Sequence, residues 1–88
     1  MKTTFRKSFV RDLKKVKDQR VRDGVQSVIA QVEAANNLGD VGDVKKITGT
    51  DNFYRIRVGE YRIGVAVERN VVDFVRCLPR RDLYRYFP

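Results

Sequence analysis

Histidine is absent from these 88 residues. That excludes the acid–base and nucleophilic schemes that depend on an imidazole, Ser-His and Cys-His pairs among them. Cysteine occurs once, at Cys77. An internal disulfide is therefore impossible, and the usage fits a reducing compartment. With no Cys/His cluster there is no zinc site to expect. The carboxylates are scattered, without the spacing of a metal loop or of a glycosidase pair. Glycine-rich phosphate loops are missing too. No apolar run is long enough to span a bilayer, and residues 1–7 lack the apolar core of a signal peptide. These absences lead us to expect a soluble cytoplasmic protein with no metal, no cofactor and no membrane partner.

What the chain does have is positive charge. Lysine and arginine number 19 against 11 aspartates and glutamates, a formal net charge of +8. Such a balance favours a polyanionic partner: nucleic acid, an acidic protein or a membrane surface. The length suits one domain over residues 1–88 with a modest core, burying about 60% of the unfolded surface.

Residues 2–5 hold two threonines and a phenylalanine and fit a short strand. Ser8 is the expected N-cap of a first helix, along which Phe9, Val10, Leu13 and Val16 recur at helical spacing. Asp18 is the expected cap of a second. Val21, Val25, Val28, Ile29 and Val32 then mark an amphipathic helix of about four turns. Residues 36–43 form a loop rich in Gly, Asn and Asp. Residues 44–48 predict a strand or an extended approach to one, and residues 71–78 predict a longer strand closed by Pro79. Residues 80–88 predict a helical turn or a docked tail. The order β-α-α-β-β-β implies an α+β domain, with a mainly antiparallel sheet and the helical hairpin packed on one face.

The stretch from Phe53 to Ile63 organises the rest. It predicts two strands joined at Gly59-Glu60. Alternation sets Tyr54, Ile56 and Val58 on one face and Arg55 and Arg57 on the other. On the next strand Tyr61, Ile63, Val65 and Val67 continue the apolar face, while Arg62, Gly64 and Ala66 join the arginines. Tyr54 and Tyr61 thus belong to the core. Every basic residue after Asn52 is an arginine. Guanidinium binds phosphate bidentately and stacks on bases, which lysine does less well. A lone arginine on a strand is most simply a solvated side chain; Arg55, Arg57 and Arg62 converging on one hairpin face point to function. Cys77 has no base near it in sequence and fits a small core residue.

The segments Val44-Lys45-Lys46-Ile47-Thr48-Gly49, Phe53 through Ile63, Val71 through Val75 and Arg80-Arg81-Asp82-Leu83-Tyr84 together resemble the RelE/ParE superfamily of type II toxin–antitoxin toxins. The resemblance covers nearly the whole chain, and the RelE branch fits better. It implies a ribosome-dependent endoribonuclease that cuts messenger RNA. The 2′-hydroxyl would attack the adjacent phosphate without a metal, leaving a 2′,3′-cyclic phosphate and a 5′-hydroxyl. Carried onto this chain, it implies catalytic roles for Arg55, Arg57, Arg62, Arg81 and Tyr84. Arg62 and Arg81 would meet the scissile phosphate, and Lys45, Lys46, Arg80 and Arg85 would bind substrate around it. Many relatives have His-Arg where this chain has Arg80-Arg81. The implied partners are a cognate antitoxin, the ribosome and mRNA, with operator DNA for the toxin–antitoxin complex. The alternatives are a ParE-like gyrase poison or an inactive antitoxin-binding module.

Overall fold

A computed structural model describes all 88 residues. Strand β1 (Lys2–Phe5) leads into helices α1 (Lys7–Lys15) and α2 (Gln19–Ala34). A short 3-10 turn (Leu38–Asp40) precedes β2 (Val44–Lys46), β3 (Phe53–Val58), β4 (Tyr61–Glu68) and β5 (Val71–Pro79), and helix α3 (Leu83–Tyr86) closes the chain. The five strands form one sheet in the order β1-β5-β4-β3-β2. The sheet is mixed: β1 runs parallel to β5, with Phe5 opposite Phe74, and every other pair is antiparallel.

The two tight hairpins follow from their turn residues. Gly59 takes φ +57° between β3 and β4, a first central position that glycine occupies without strain. Between β4 and β5 both Arg69 and Asn70 have positive φ, at 51° and 66°, the pattern of a type I′ turn.

One face of the sheet carries the main core. Ile56, Ile63, Val65, Val72 and Phe74 are wholly buried there against Phe9 of α1 and Val25 and Val32 of α2. Full burial of such a side chain is worth about 1.5–3 kcal/mol. Asp18 caps α2 as expected, accepting from the Arg20 N–H at 2.9 Å. The Ser8 expectation fails. Helix α1 starts at Lys7, two residues earlier than a Ser8 cap would set, with Arg6 at the cap position and no side-chain cap. Arg6 still pairs with β5 through its N–H to Phe74 O, and the Ser8 hydroxyl donates to Val75 O at 2.6 Å instead.

Helix α1 thereby takes over from β1 along the edge of β5. Asp12, 5% exposed, accepts the Cys77 N–H at 3.0 Å and pairs with Arg76 at 2.7 Å. Arg22 of α2 donates to the carbonyls of Leu13 and Val16 and so closes the end of α1.

The helical hairpin packs on one face as expected. Helix α3, the predicted turn or docked tail, sits on the opposite face, where Leu83 and Phe87 bury against Ile47, with Phe53, Val75 and Leu78 alongside. The Phe87 ring rests on Gly64, where an added Cβ would stand 2.7 Å from it. The loop at 36–43 is also more structured than its composition implied, since Leu38 and Val41 reach the core.

Candidate nucleic-acid interface

The face shared by α3 is also the arginine face. In the ladder Arg57 stands opposite Arg62, and Arg55 opposite Gly64. Directly opposed residues of an antiparallel pair project to the same side. The three hairpin arginines are therefore brought together as the alternation required, with Ile56 and Ile63 opposed on the buried side. Lys45 pairs with Arg55 and adds its charge to this face, whereas Lys46 pairs with Tyr54 and falls on the other one. Tyr54 and Tyr61 pack against the main core, as expected.

Arg80 joins the group. Its N–H donates to Glu60 O at 2.8 Å, tying the end of β5 to the β3–β4 turn. Partial burial lowers the pKa of Arg62 below its ordinary value, and the positive fields of Arg55, Arg57 and Arg80 lower it further, against a small opposing effect of Glu60. Arg62 stays charged at neutral pH. After burial, the like charges of three neighbouring guanidinium groups contribute to the shift, with Glu60 the one opposing charge. The ion pairs of the chain are Arg6–Asp73, Arg20–Asp18 and Arg76–Asp12, and none draws on this group. Arg62 is oriented instead by carbonyls: its Nη1 donates to Gly59 O at 2.8 Å and to Tyr61 O at 2.9 Å. Its other nitrogens keep their donors.

Arg81, Tyr84 and Arg85 are exposed on the turn at 80–82 and on α3. It is Arg80, rather than Arg81, whose charge is felt at Arg62. Leu83 and Phe87 face the sheet, so one-turn spacing puts Tyr84 and Tyr86 on opposite flanks of α3. Tyr86 flanks the β5 edge, over Arg76, and Tyr84, 59% exposed, takes the other side. Arg76, one of the arginines after Asn52, is held by Asp12 and lies outside the cationic group. The sequence did not reveal Asp12, because a single aspartate in a basic helix carries no mark of burial. Gly64 did leave a signal, a glycine inside a strand. No cluster of three or more His, Cys, Asp or Glu is present to hold a metal, and no helix is long and apolar enough to cross a membrane.

A small α+β domain that gathers guanidinium groups on one strand pair and leaves them out of its ion pairs is built to meet a polyanion. The chain belongs to the toxin family described as "ParE toxin of type II toxin-antitoxin system, parDE", whose family model matches residues 4–84. It is 45% identical over 89 residues to Toxin RelE3 of Methanocaldococcus jannaschii, covering 100% of both chains. Among solved structures it is similar to the RelB-RelE antitoxin-toxin complex from Methanococcus jannaschii, with a TM-score of 0.81 and 42% identity over 97% of this chain and 99% of that one. The archaeal RelE-RelB complex from Pyrococcus horikoshii shares the fold at 23% identity and TM-score 0.72, over 90% of this chain and 93% of that one. The family model carries the ParE name and these relatives carry the RelE name.

Proposed function

We propose that this chain is the toxin of a type II toxin–antitoxin pair and inhibits translation by cutting messenger RNA on the ribosome. The observation that carries the reading is the group formed by Arg55, Arg57 and Arg62 on paired strands and Arg80 just past β5, none of them held in an ion pair. In the proposed reaction the 2′-oxygen forms a bond to phosphorus and the bond from phosphorus to the 5′-oxygen breaks. The 2′-hydroxyl gives up its proton, and the leaving oxygen takes one to end as a 5′-hydroxyl. Negative charge accumulates on the phosphoryl oxygens between these events. Arg62 and Arg80 stabilise it from fixed positions, and Arg55, Arg57 and Lys45 orient the RNA backbone. Arg81 approaches from the turn before α3, and Tyr84 and Arg85 from α3 itself, with Tyr84 stacking on a base or assisting the 2′-hydroxyl. Positioning of the RNA by the ribosome supplies a further part of the barrier reduction. A cognate antitoxin holds the toxin inactive in the cytoplasm, its acidic segment neutralising the same arginines.

The test is cleavage mapping on programmed ribosomes. Wild-type protein yields cuts ending in cyclic phosphate, and Arg62→Ala lowers the rate about 10²–10³-fold, the loss of one preorganised donor. Absence of cuts above a protein-free control removes the nuclease reading. Because the family model bears the ParE name, a gyrase supercoiling assay run in parallel identifies the alternative target.

A further inference from the structure

Beyond Phe5 strand β1 has ended, and at the edge of β5 lies a feature beside the arginine group, lined by none of its four arginines. A cleft of about 380 Å³ lies there between α1 and α3, lined among others by Asp12, Lys15, Tyr61, Arg76, Leu78 and Tyr86. Asp12 takes Nε of Arg76 at 2.7 Å and Nη2 at 3.1 Å, and the Cys77 N–H at 3.0 Å holds the carboxylate itself in place. This grip occupies the side-on edge of the guanidinium. The end-on edge, formed by Nη1 and the second N–H of Nη2, has no acceptor in the chain. It is a pair of parallel donors in a fixed plane. The Arg76 side chain remains 21% exposed. The guanidinium carbon lies 5.5 Å from the centre of the Tyr86 ring, and Tyr86 is itself 54% exposed.

We propose that this cleft seats a guanine base of bound single-stranded RNA and that Arg76 reads it. The inference rests on the reading above only in taking RNA as the ligand. Two parallel donors call for two adjacent acceptors, and guanine presents O6 and N7 in that arrangement. Adenine sets an amino donor beside N7, and a guanidinium has no acceptor to offer it. Cytosine has adjacent acceptors on its pairing edge but a smaller ring to stack. Tyr86 supplies the stacking surface that splayed-out RNA bases use, and Tyr61 lines the cleft from the core side. Register places the cleft next to the cationic group: Leu78 of its lining stands opposite Arg62, and Arg80 follows two residues later. RNA gripped by its phosphate on the arginines thus has a neighbouring base at the mouth of the cleft. Asp12 is then a positioning residue, acting through the plane it imposes on Arg76.

The experiment is fluorescence anisotropy of the intact protein with short uridine-rich RNAs carrying one guanine, adenine or cytosine. Wild type binds the guanine RNA about tenfold more tightly than the others, the discrimination of one bidentate contact. Replacing that guanine by 7-deazaguanine removes one acceptor, leaves the protein untouched and abolishes the preference. Arg76→Lys keeps the charge but loses the fork, and it binds all three RNAs alike. Tyr86→Leu leaves the Asp12–Arg76 pair intact and weakens all three in parallel. Equal wild-type affinities overturn the proposal, as does a preference that survives 7-deazaguanine. Guanine preference without ribosomal cleavage sinks the nuclease reading and spares this site; cleavage without guanine preference does the reverse.

Discussion

At Gly64 the lack of a side chain is what admits the Phe87 ring onto the sheet. Gly64→Ala puts a methyl group into that ring, so Phe87 has to withdraw and take α3 with it. Overpacking of this kind costs about 1–3 kcal/mol, which urea unfolding will register as a lower midpoint at unchanged slope. Cys77 makes the opposite point, a reactive group silenced by its surroundings. Burial, and then the charge of Asp12, push its thiol up from 9.0 to about 12. Through neutral pH the thiol is protonated both folded and unfolded and has no effect on the pH dependence of stability. As pH rises past the ordinary thiol value the unfolded chain loses this proton and the folded chain keeps it, so stability falls between about 9 and 12. Cys77→Ala flattens that decline, and native protein at pH 8 resists a thiol alkylating agent that modifies it in urea. The core role of Cys77 was legible in the sequence. Burial is the larger cause of its raised pKa, while the added effect of Asp12 was not legible, because Asp12 lies 65 residues away in sequence.

Among the elements, those whose boundaries were legible obey local rules. Alternation placed every hairpin residue on its proper face, and Asp18 capped α2. What escaped were contacts between distant segments. Nothing local distinguishes a parallel β1–β5 pair from an antiparallel one. Likewise Ser8 left its capping role for the Val75 carbonyl, a partner 67 residues on. Lys45 and Lys46 are neighbours in sequence with identical charge, yet strand alternation sends only Lys45 to the arginines. The tie between α1 and β5 is strongest at Asp12, whose carboxylate serves both Arg76 and the Cys77 N–H. Asp12→Ala leaves a guanidinium and a backbone donor unpaired and will destabilise the protein by about 3 kcal/mol, read from thermal or urea unfolding. Arg76→Met, which removes the other charge, costs less when added to Asp12→Ala than alone.

For the whole molecule, charge is the property that ties sequence to action. A net +8 spread evenly would bind any polyanion loosely, whereas the fold focuses part of it on one hairpin. If four arginines neutralise four phosphates of single-stranded RNA, log affinity falls against log salt with a slope of about −3. Arg57→Ala makes that slope shallower by about 0.7, and a titration across salt concentrations measures both. The parallel pairing of the first strand with the last has a temporal consequence. Lys2 to Phe5 wait for Val71 to Phe74, so during synthesis the sheet cannot close until residues 71–74 are free to pair. Before then β2, β3 and β4 can pair, but the β5 edge on which β1 and α1 dock is missing. The arginine group, fixed on β3 and β4 but joined by Arg80 just past β5, is complete only once that last strand has docked.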